Sequence, residues 1–159
     1  MDIKDAAFLA IVDSAKNILL SYSCEEFDRH GLLSSLGEEN GQVFIFKDHT
    51  VFVSRINDIS VLLVTFPESN EIFVSKAFEA LVNSLSRVIK NWCIERIAEK
   101  YDQLQLIFHE FVFKGIILVD EEDELSSRIM KRTFENMNAI KVNKGFASLL
   151  NKATKSLRK

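Results

Sequence analysis

The sequence is poor in cysteine, proline and glycine, with 2, 1 and 5 of them among 159 residues. Two cysteines are too few for a disulfide framework, and we therefore expect reduced thiols in a reducing compartment. Scarce glycine and proline argue against a fold built mainly from loops, and against the glycine-rich loops that bind nucleotide phosphates. No apolar run approaches the roughly 18 residues that a membrane-spanning helix requires. These absences favour a globular domain made of helices and strands.

The pattern of a secretory signal peptide is also missing. The first apolar stretch, residues 6–12, follows charged residues and ends at Asp13. It lacks the cationic flank and the small-residue cleavage site of a signal peptide. We therefore expect a cytoplasmic protein that reaches a membrane only through other molecules.

Charges are abundant, but they are unevenly distributed along the chain. Residues 1–130 contain 12 Lys or Arg and 22 Asp or Glu, whereas residues 131–159 contain 8 Lys or Arg and a single acidic residue, Glu135. The net charge of −3 therefore conceals an acidic body and a basic tail. An acidic body argues against nucleic-acid binding by the whole domain.

Five short apolar runs separated by polar breaks predict an antiparallel sheet. A short helix, residues 25–36, interrupts them after the second run, and Gly31 lowers its helix propensity. Both faces of the last three runs are apolar, so each face needs a cover of helices or of a partner. The predicted strands are residues 7–12, 18–22, 42–46, 50–55 and 59–66.

The middle of the chain is predicted to be helical. Apolar residues recur about every 3.6 positions from residue 71, which predicts one long helix over residues 71–96. A second helix is predicted from residue 97 or 101 to residue 113, with Gly115 as its C-terminal stop. The short apolar run that follows, residues 116–119, is predicted to be extended.

The C-terminal part begins with an acidic run, residues 120–124. Because anions favour a helix N-terminus, we expect this run to cap or precede a helix over residues 125–137. A break is predicted at residues 138–145. A final amphipathic helix is predicted over residues 146–157, with basic side chains around a stripe of leucines.

Residue types that carry chemistry are few and scattered. No histidine has a cysteine, histidine or carboxylate at a metal-binding spacing, and the acidic run lacks the spaced ligands and central glycine of a calcium loop. Cys93 is expected on or near a buried helix face as an inert thiol. We therefore predict no catalytic, cofactor-binding or metal-binding residues and no cofactor, as in an interaction module. The residues considered are His30, His49, His109, Cys24 and Cys93.

Several segments, read in order, resemble the zeta subunits of coatomer. That family belongs with the sigma subunits of clathrin adaptors among the small longin-fold chains of vesicle coats. The basic tail favours zeta over sigma, because sigma chains usually end soon after the sheet-and-helix body. The resemblance covers nearly the whole chain and lies in FEALVNSLSRVI at residues 78–89, in IFHEF at 107–111, in GIIL at 115–118 with the acidic run, and in the small, Leu and Lys residues of 146–159.

This resemblance implies an α+β, longin-like fold, a five-stranded antiparallel sheet with helices on both faces plus a C-terminal helical extension. Residues 1–130 would form the longin-like domain and residues 131–159 the basic helical tail. The implied function is that of a non-enzymatic small subunit of the coatomer vesicle coat, which binds the trunk of the large gamma subunit in Golgi to endoplasmic reticulum transport.

The implied partners are the gamma trunk, the remainder of coatomer and, indirectly, a small GTPase. Contact with membrane would occur only through the complex, and no nucleic acid is expected. The implied location is cytoplasmic, peripheral on Golgi and coated-vesicle membranes.

Two alternatives remain open at this point. A clathrin-adaptor sigma subunit would recognise acidic dileucine cargo signals in a basic and apolar pocket. Arg55 with Lys47 is a possible basic cluster, although the acidic body argues against such a pocket. Another longin-domain trafficking protein, such as a SNARE regulator or a tethering subunit, would need a heptad repeat or a lipidation motif. The tail of 29 residues is short for a SNARE helix and its Ser-Leu-Arg-Lys ending is no prenylation box.

The sequence does not assign the residues that bind a partner. The predicted helix 25–36 is short for the sheet face that it must cover. We therefore expect apolar surface to stay exposed on that face, where a helical-solenoid partner would bury it.

Overall fold

A computed structural model of the protein describes residues 3–37 and 43–139, with side chains up to Met130. Five strands form one antiparallel sheet in the order β2-β1-β5-β4-β3, and two shorter strands form a separate hairpin. The elements in chain order are β1 (Ala6–Val12), β2 (Ile18–Ser23), α1 (Arg29–Ser35), β3 (Val43–Phe46), β4 (His49–Ile56), β5 (Ile59–Thr65), α2 (Glu71–Ile89), α3 (Ile94–Glu99), α4 (Tyr101–Phe111), β6 (Val112–Phe113), β7 (Ile116–Ile117) and α5 (Glu122–Ala139).

The five predicted strands are confirmed, and the two central ones explain why the sheet needs cover on both faces. Every residue of β1 and of β5 is buried. The two strands pair with each other in antiparallel register, with Leu9 opposite Leu63. Successive side chains of a strand point to opposite faces, so a strand buried throughout must be packed on both.

The core consists of two clusters, one on each face of the sheet. Leu9, Ile11 and Leu63 point to the face that packs against α2, α4 and the start of α5. Phe8 and Val64 point to the opposite face, which packs against α1 and the residues before it. The predicted α+β architecture with helices on both faces is therefore confirmed.

The segment around α1 covers its sheet face more fully than its length suggests. Leu32 is completely buried, and the ring of Phe27 stacks on Phe8 at 5.6 Å between centroids. Ala10 and Val12 of β1 are also buried in this cluster. The expectation of an uncovered apolar face on this side is therefore wrong, because the ring of Phe27, which precedes the helix, extends its cover.

Helix α2 is shorter than predicted. It begins after Asn70, whose Oδ1 accepts hydrogen bonds from the backbone N–H groups of Ile72 and Phe73. It ends at Ile89 rather than near residue 96, because Lys90 adopts φ 61°. The chain then turns inward to bury Trp92, and α3 begins as a separate helix. Cys93 lies in this connection at the N-cap of α3, near a helix as expected, but it is half-buried and not fully buried.

Gly115 serves a different purpose from the predicted helix stop. Helix α4 ends at Phe111, and Gly115 lies at φ 85° in the two-residue turn between β6 and β7. Its carbonyl oxygen accepts hydrogen bonds from the N–H groups of Asp5 and Ala6, and its own N–H donates to the Tyr22 hydroxyl. The small hairpin is thereby attached to the start of β1 and to β2. The predicted extended run after Gly115 is confirmed as β7.

Helix α5 begins at Glu122, earlier than the predicted start at residue 125, so that Asp120 and Glu121 precede the helix and the other three acidic residues form its first turn. Leu125 on its first turns is fully buried in the core. The helix continues to Ala139, beyond the predicted end at residue 137. Contact density divides the chain between Ile129 and Met130. The predicted helix over 146–157 and most of the predicted break lie outside the described residues.

Candidate partner-binding surface

The apolar surface that the structure leaves open lies on β3, the outermost strand next to β4. The side chains of Val43 and Ile45 are 52% and 76% exposed. Val43 lies opposite Phe52 of β4, which belongs to the core cluster under α2. The alternating Phe44 and Phe46 are half-buried on the other face. The open apolar surface is thus on the α2 side of the sheet, opposite to the side expected from the sequence.

Among the described strands, none pairs with the outer edge of β3, which the same residues form. Lys47 and Asp48 both have positive φ, 44° and 67°, and form the two-residue turn between β3 and β4. The residues that flank such a turn, Phe46 and His49, are a hydrogen-bonded pair. Because hydrogen-bonded and non-hydrogen-bonded pairs alternate, the N–H and C=O groups of Val43 and Ile45 point away from β4.

A groove of about 430 Å³ separates the exposed face of β3 from α2. Its floor includes Phe52 and Phe78, which are buried and tilted against each other at 6.0 Å between ring centroids. Its α2 wall carries Ser75, Glu79 and Val82. These spacings of three and four place the side chains on one flank of the helix.

Ile72 extends this flank by one turn, three positions before Ser75, and its side chain is 85% exposed. Val43, Ile45 and Ile72 therefore give the surface more exposed apolar area than the groove alone.

The charges around the groove are negative. Glu79 is the charged residue in its lining, and within the described part of the chain its carboxylate has no ion-pair partner. At the other end of β3, the Thr50 hydroxyl donates a 2.6 Å hydrogen bond to Glu71 Oε1. Thr50 lies directly opposite Ile45, so a second carboxylate stands beside the exposed face of β3. The surface is thus apolar with an acidic border.

The histidines and cysteines considered from the sequence do not come together. His49 donates from Nδ1 to the carbonyl oxygen of Thr65 at 2.6 Å, and its ring meets that of Phe27 edge-on. His30 and His109 are exposed on separate helices, α1 and α4. Cys24 lies beside Gly115. Among residues 3–37 and 43–130, no group of three potential ligands is placed to hold a metal ion.

The two resolved pKa shifts belong to exposed charge pairs near α1. The hydrogen bond from the Lys47 ammonium, 2.6 Å from Asp28 Oδ2, lowers the pKa of Asp28. The hydrogen bond that Asp28 accepts from the Gly31 N–H lowers this pKa further. The hydrogen bond and charge of Glu25 raise the pKa of Lys4. Both pairs fix the connection between β2 and α1 rather than forming a reactive centre.

The possible basic cluster of Arg55 with Lys47 does not form. Lys47 precedes the start of β4 and Arg55 lies near its end, so the two are about 27 Å apart along an extended strand. Lys47 pairs with Asp28, and Arg55 donates to the carbonyl oxygen of Gly37. The expectation of this cluster is therefore wrong.

A polar cleft of about 650 Å³ lies where Arg55 and the turn before β2 meet. It carries charges of both signs, from Asp13, Lys16, Arg55 and Asp58. A mixed lining of this kind does not favour ligands of one charge.

Comparison with known proteins identifies the family. The chain is 31% identical to the coatomer subunit zeta of Encephalitozoon cuniculi over 159 residues, which cover 99% of this chain and 96% of that protein. The chain belongs to the coatomer zeta-subunit family. The zeta subunit of Saccharomyces cerevisiae is 30% identical over 124 residues, 77% of this chain and 65% of that protein. No protein-family model matches the chain.

The fold of this zeta-family chain also occurs in an adaptor complex. A chain of the homology model of the full-length AP-3 complex in a stretched open conformation superposes with a TM-score of 0.62, over 84% of this chain and 98% of that chain. Their sequences are 9% identical, so this likeness concerns the fold alone. The predicted longin-like fold and the resemblance to zeta subunits are confirmed. As a zeta-family chain, the protein is a small subunit of a vesicle coat.

Among the residues that the structure describes, no helix of this zeta-family chain has the length and hydrophobicity of a membrane span.

The exposed pair Val43 and Ile45 was not found from the sequence. The available signal was the apolar character of both faces of residues 43–46, which the central strands share. Strand order, which places β3 at the edge, distinguishes the two cases.

Proposed function

We propose that this zeta-family chain is a non-enzymatic subunit of the coatomer coat that binds the trunk of the large gamma-type subunit in Golgi to endoplasmic reticulum transport. The likeness to a named zeta subunit over 99% of the chain carries the proposal. In it, residues 1–130 form the domain that joins the coat and residues 131–159 form a basic extension. Recruitment to Golgi and vesicle membranes would come from a small GTPase acting on the assembled complex.

The hairpin of β6 and β7 offers the best contact for such a trunk. Phe113 is 58% exposed and Leu118 is 45% exposed. The opposite face of the hairpin is anchored, because Val112 and Ile117 are buried in the core. An exposed aromatic side chain on a fixed backbone loses little freedom on binding and is the kind of residue that dominates interface energies.

The hydrogen bonds that attach this hairpin to the N-terminal segment support the same proposed contact. Asp5 Oδ2 accepts a hydrogen bond from the N–H of Ile117, and the Gly115 carbonyl oxygen accepts from two N–H groups of the N-terminal segment. A surface held this way keeps its shape in the absence of a partner. Binding by preformed shape suits a rigid helical trunk.

The sigma-type alternative receives less support. An acidic dileucine peptide would meet the carboxylates of Glu79 and Glu71 at the groove beside β3, and like charges oppose association. Titration with an acidic dileucine peptide would favour this alternative only if it bound more tightly than the same peptide with lysines in place of its acids.

Co-expression with a gamma-coatomer trunk tests the main proposal. We expect a stable one-to-one complex in size-exclusion chromatography with light scattering. The double variant Phe113→Ser and Leu118→Ser should weaken it at least about tenfold, because two exposed apolar anchors are lost. Ile94→Ser, which removes an exposed apolar side chain from α3, is the matched control. A folded chain that never associates with the trunk would refute the proposal.

A further inference from the structure

We propose that the free edge of β3 and the groove between β3 and α2 bind an extended segment of another protein. This segment has apolar side chains at alternate positions and a lysine or arginine that pairs with Glu79. The surface is distinct from the β6–β7 hairpin, and the occupant is a strand rather than a helical trunk. The inference therefore does not depend on the proposed function.

Hydrogen bonding selects a strand. Val43 and Ile45 direct their N–H and C=O groups away from β4, and among the described residues no other group bonds to them. An unpaired strand edge of this kind is a template on which an extended peptide adds its own main-chain hydrogen bonds. Charged side chains, prolines and bulges usually protect such edges, whereas β3 is VFIF and its pairing with β4 is regular.

The exposed side chains of β3 favour a segment with apolar residues at alternate positions. Val43 and Ile45 lie on the same face as the groove, and their exposed fractions are 52% and 76%. Every second side chain of an added strand would point to this face, beside the same two residues. Apolar side chains there would continue the apolar surface that runs from Val43 to the groove floor at Phe52 and Phe78.

Charge selects a basic segment. Glu79 lines the groove without an ion-pair partner among the described residues, and Glu71 stands beside Thr50 at the other end of β3. No lysine or arginine is among the described residues that line the groove. A basic side chain in the added strand would neutralise Glu79, whereas a second copy of this chain would bring its own acidic border against this one.

Fluorescence anisotropy with the full chain can test this with synthetic peptides of about eight residues. The first, the Val-Lys peptide, has Val and one Lys at successive groove-facing positions with Thr between them, so that the Lys lies on the same face as Glu79. The second, the Val-Glu peptide, has Glu in place of that Lys, and the third is the Val-Lys peptide with N-methylated backbone amides on the bonding edge. We expect the Val-Lys peptide to bind about fivefold or more tightly than the Val-Glu peptide, since exposed charge pairs contribute modestly. The N-methylated peptide should not bind, because it cannot form the main-chain hydrogen bonds. Hydrogen exchange should slow at the amides of Val43 and Ile45.

Two variants separate the contributions. Ile45→Ser should weaken the Val-Lys peptide about tenfold by removing apolar contact, and Glu79→Gln should reduce the preference for Val-Lys over Val-Glu. Both residues are exposed, so the fold should be retained, and thermal unfolding checks this. The matched control Ile94→Ser should leave peptide binding unchanged.

The opposite results overturn the inference. Equal binding of the N-methylated peptide would mean that no strand is added, and an unaltered affinity of Ile45→Ser would place the peptide elsewhere. Self-association that Ile45→Ser abolishes would make a second copy of the chain the occupant. If Ile45→Ser still binds the trunk and Phe113→Ser still binds the peptide, the two surfaces act independently. The inference and the proposed function can then be confirmed or refuted one at a time.

Discussion

Gly31 illustrates at the scale of one residue how a sequence rule can give the wrong sign. A glycine inside a helix normally weakens it. Here the N–H of Gly31 donates a 2.9 Å hydrogen bond to Asp28 Oδ1, the N-cap of α1. A Cβ at position 31 would overlap the carboxylate of Asp28. The missing side chain therefore makes room for the cap.

Gly31→Ala should consequently destabilise the protein, or leave it unchanged, instead of adding the roughly 1 kcal/mol expected from helix propensity. In an Asp28→Ala background the overlap is gone, and Gly31→Ala should then stabilise. The free energies of unfolding of the four proteins, measured by urea denaturation, form a double-mutant cycle. Additive effects, with Gly31→Ala stabilising in both backgrounds, would contradict this explanation.

Asp28 also gives stability a dependence on pH. Lys47 and the Gly31 N–H lower its pKa below the ordinary value of 3.8. Because the folded state holds the proton less tightly, the ionised carboxylate stabilises the fold above this value, and the contribution is lost as the pH falls through the folded-state pKa. Asp28→Asn keeps a good N-cap but removes the charge.

We expect Asp28→Asn to have a lower Tm than the unaltered protein near neutral pH, with the difference vanishing at strongly acidic pH. Thermal unfolding by circular dichroism across this range measures it. Glu68→Gln, which removes an exposed acid, should show no such convergence. A constant difference at all pH values would mean that the charge of Asp28 plays no part.

At the scale of elements, the strands were predictable and the helix ends were not. Runs of Val, Ile and Phe between polar turns specified all five strands of the sheet to within one or two residues. The end of α2 had no glycine or proline to mark it. Lys90 adopts positive φ, the chain turns inward to bury Trp92, and Asn57 Nδ2 donates to the Trp92 carbonyl oxygen. Contacts between distant residues, rather than local propensity, stop this helix.

The start of α5 is held to α2 by Arg87. Its guanidinium bonds to Glu122 Oε1 at 2.5 Å, to Asp123 Oδ1 at 3.2 Å and to Ser126 Oγ at 3.3 Å. The acidic run, which from the sequence alone is a capping segment, is therefore also the counterpart of a cation on another helix. Lys76 makes a further pair with Asp120.

Arg87→Gln should loosen the first turn of α5 without unfolding it, since Leu125 remains buried. Half-exposed pairs contribute little, so we expect a loss of less than about 1 kcal/mol, smaller still at high salt. Hydrogen exchange should accelerate at residues 122–128. Arg96→Gln, which removes a pair within α3, is the matched control and should leave those amides unaffected. If hydrogen exchange at these residues is unchanged in Arg87→Gln, the burial of Leu125 alone holds the start of α5 in place.

At the scale of the whole molecule, the fold class could be predicted, but the location of the open surface could not. The apolar residues of β3 look the same in the sequence as those of β5, yet β5 is buried throughout and β3 is half open. The difference comes from the strand order, because β5 pairs with both β1 and β4, whereas among the described strands β3 pairs with β4 alone. The resemblance to zeta subunits indicated the biological context, whereas the exposed residues of β3 could be located only from the strand order. The predicted basic tail, residues 131–159, stays a prediction.

The central position of β1 has a consequence for the order in which the chain can fold. Its pairing with β2 is local, but Phe8 pairs with Val64, 56 positions later. During synthesis the edge of β1 that pairs with β5 must therefore wait until β5 has left the ribosome, and the face that α2 and α4 cover must wait longer still. Long-range pairing of this kind slows folding and lengthens exposure to aggregation. A strand that is buried along its whole length in the folded protein is thus among the first to be synthesised and must stay partly exposed until later segments arrive.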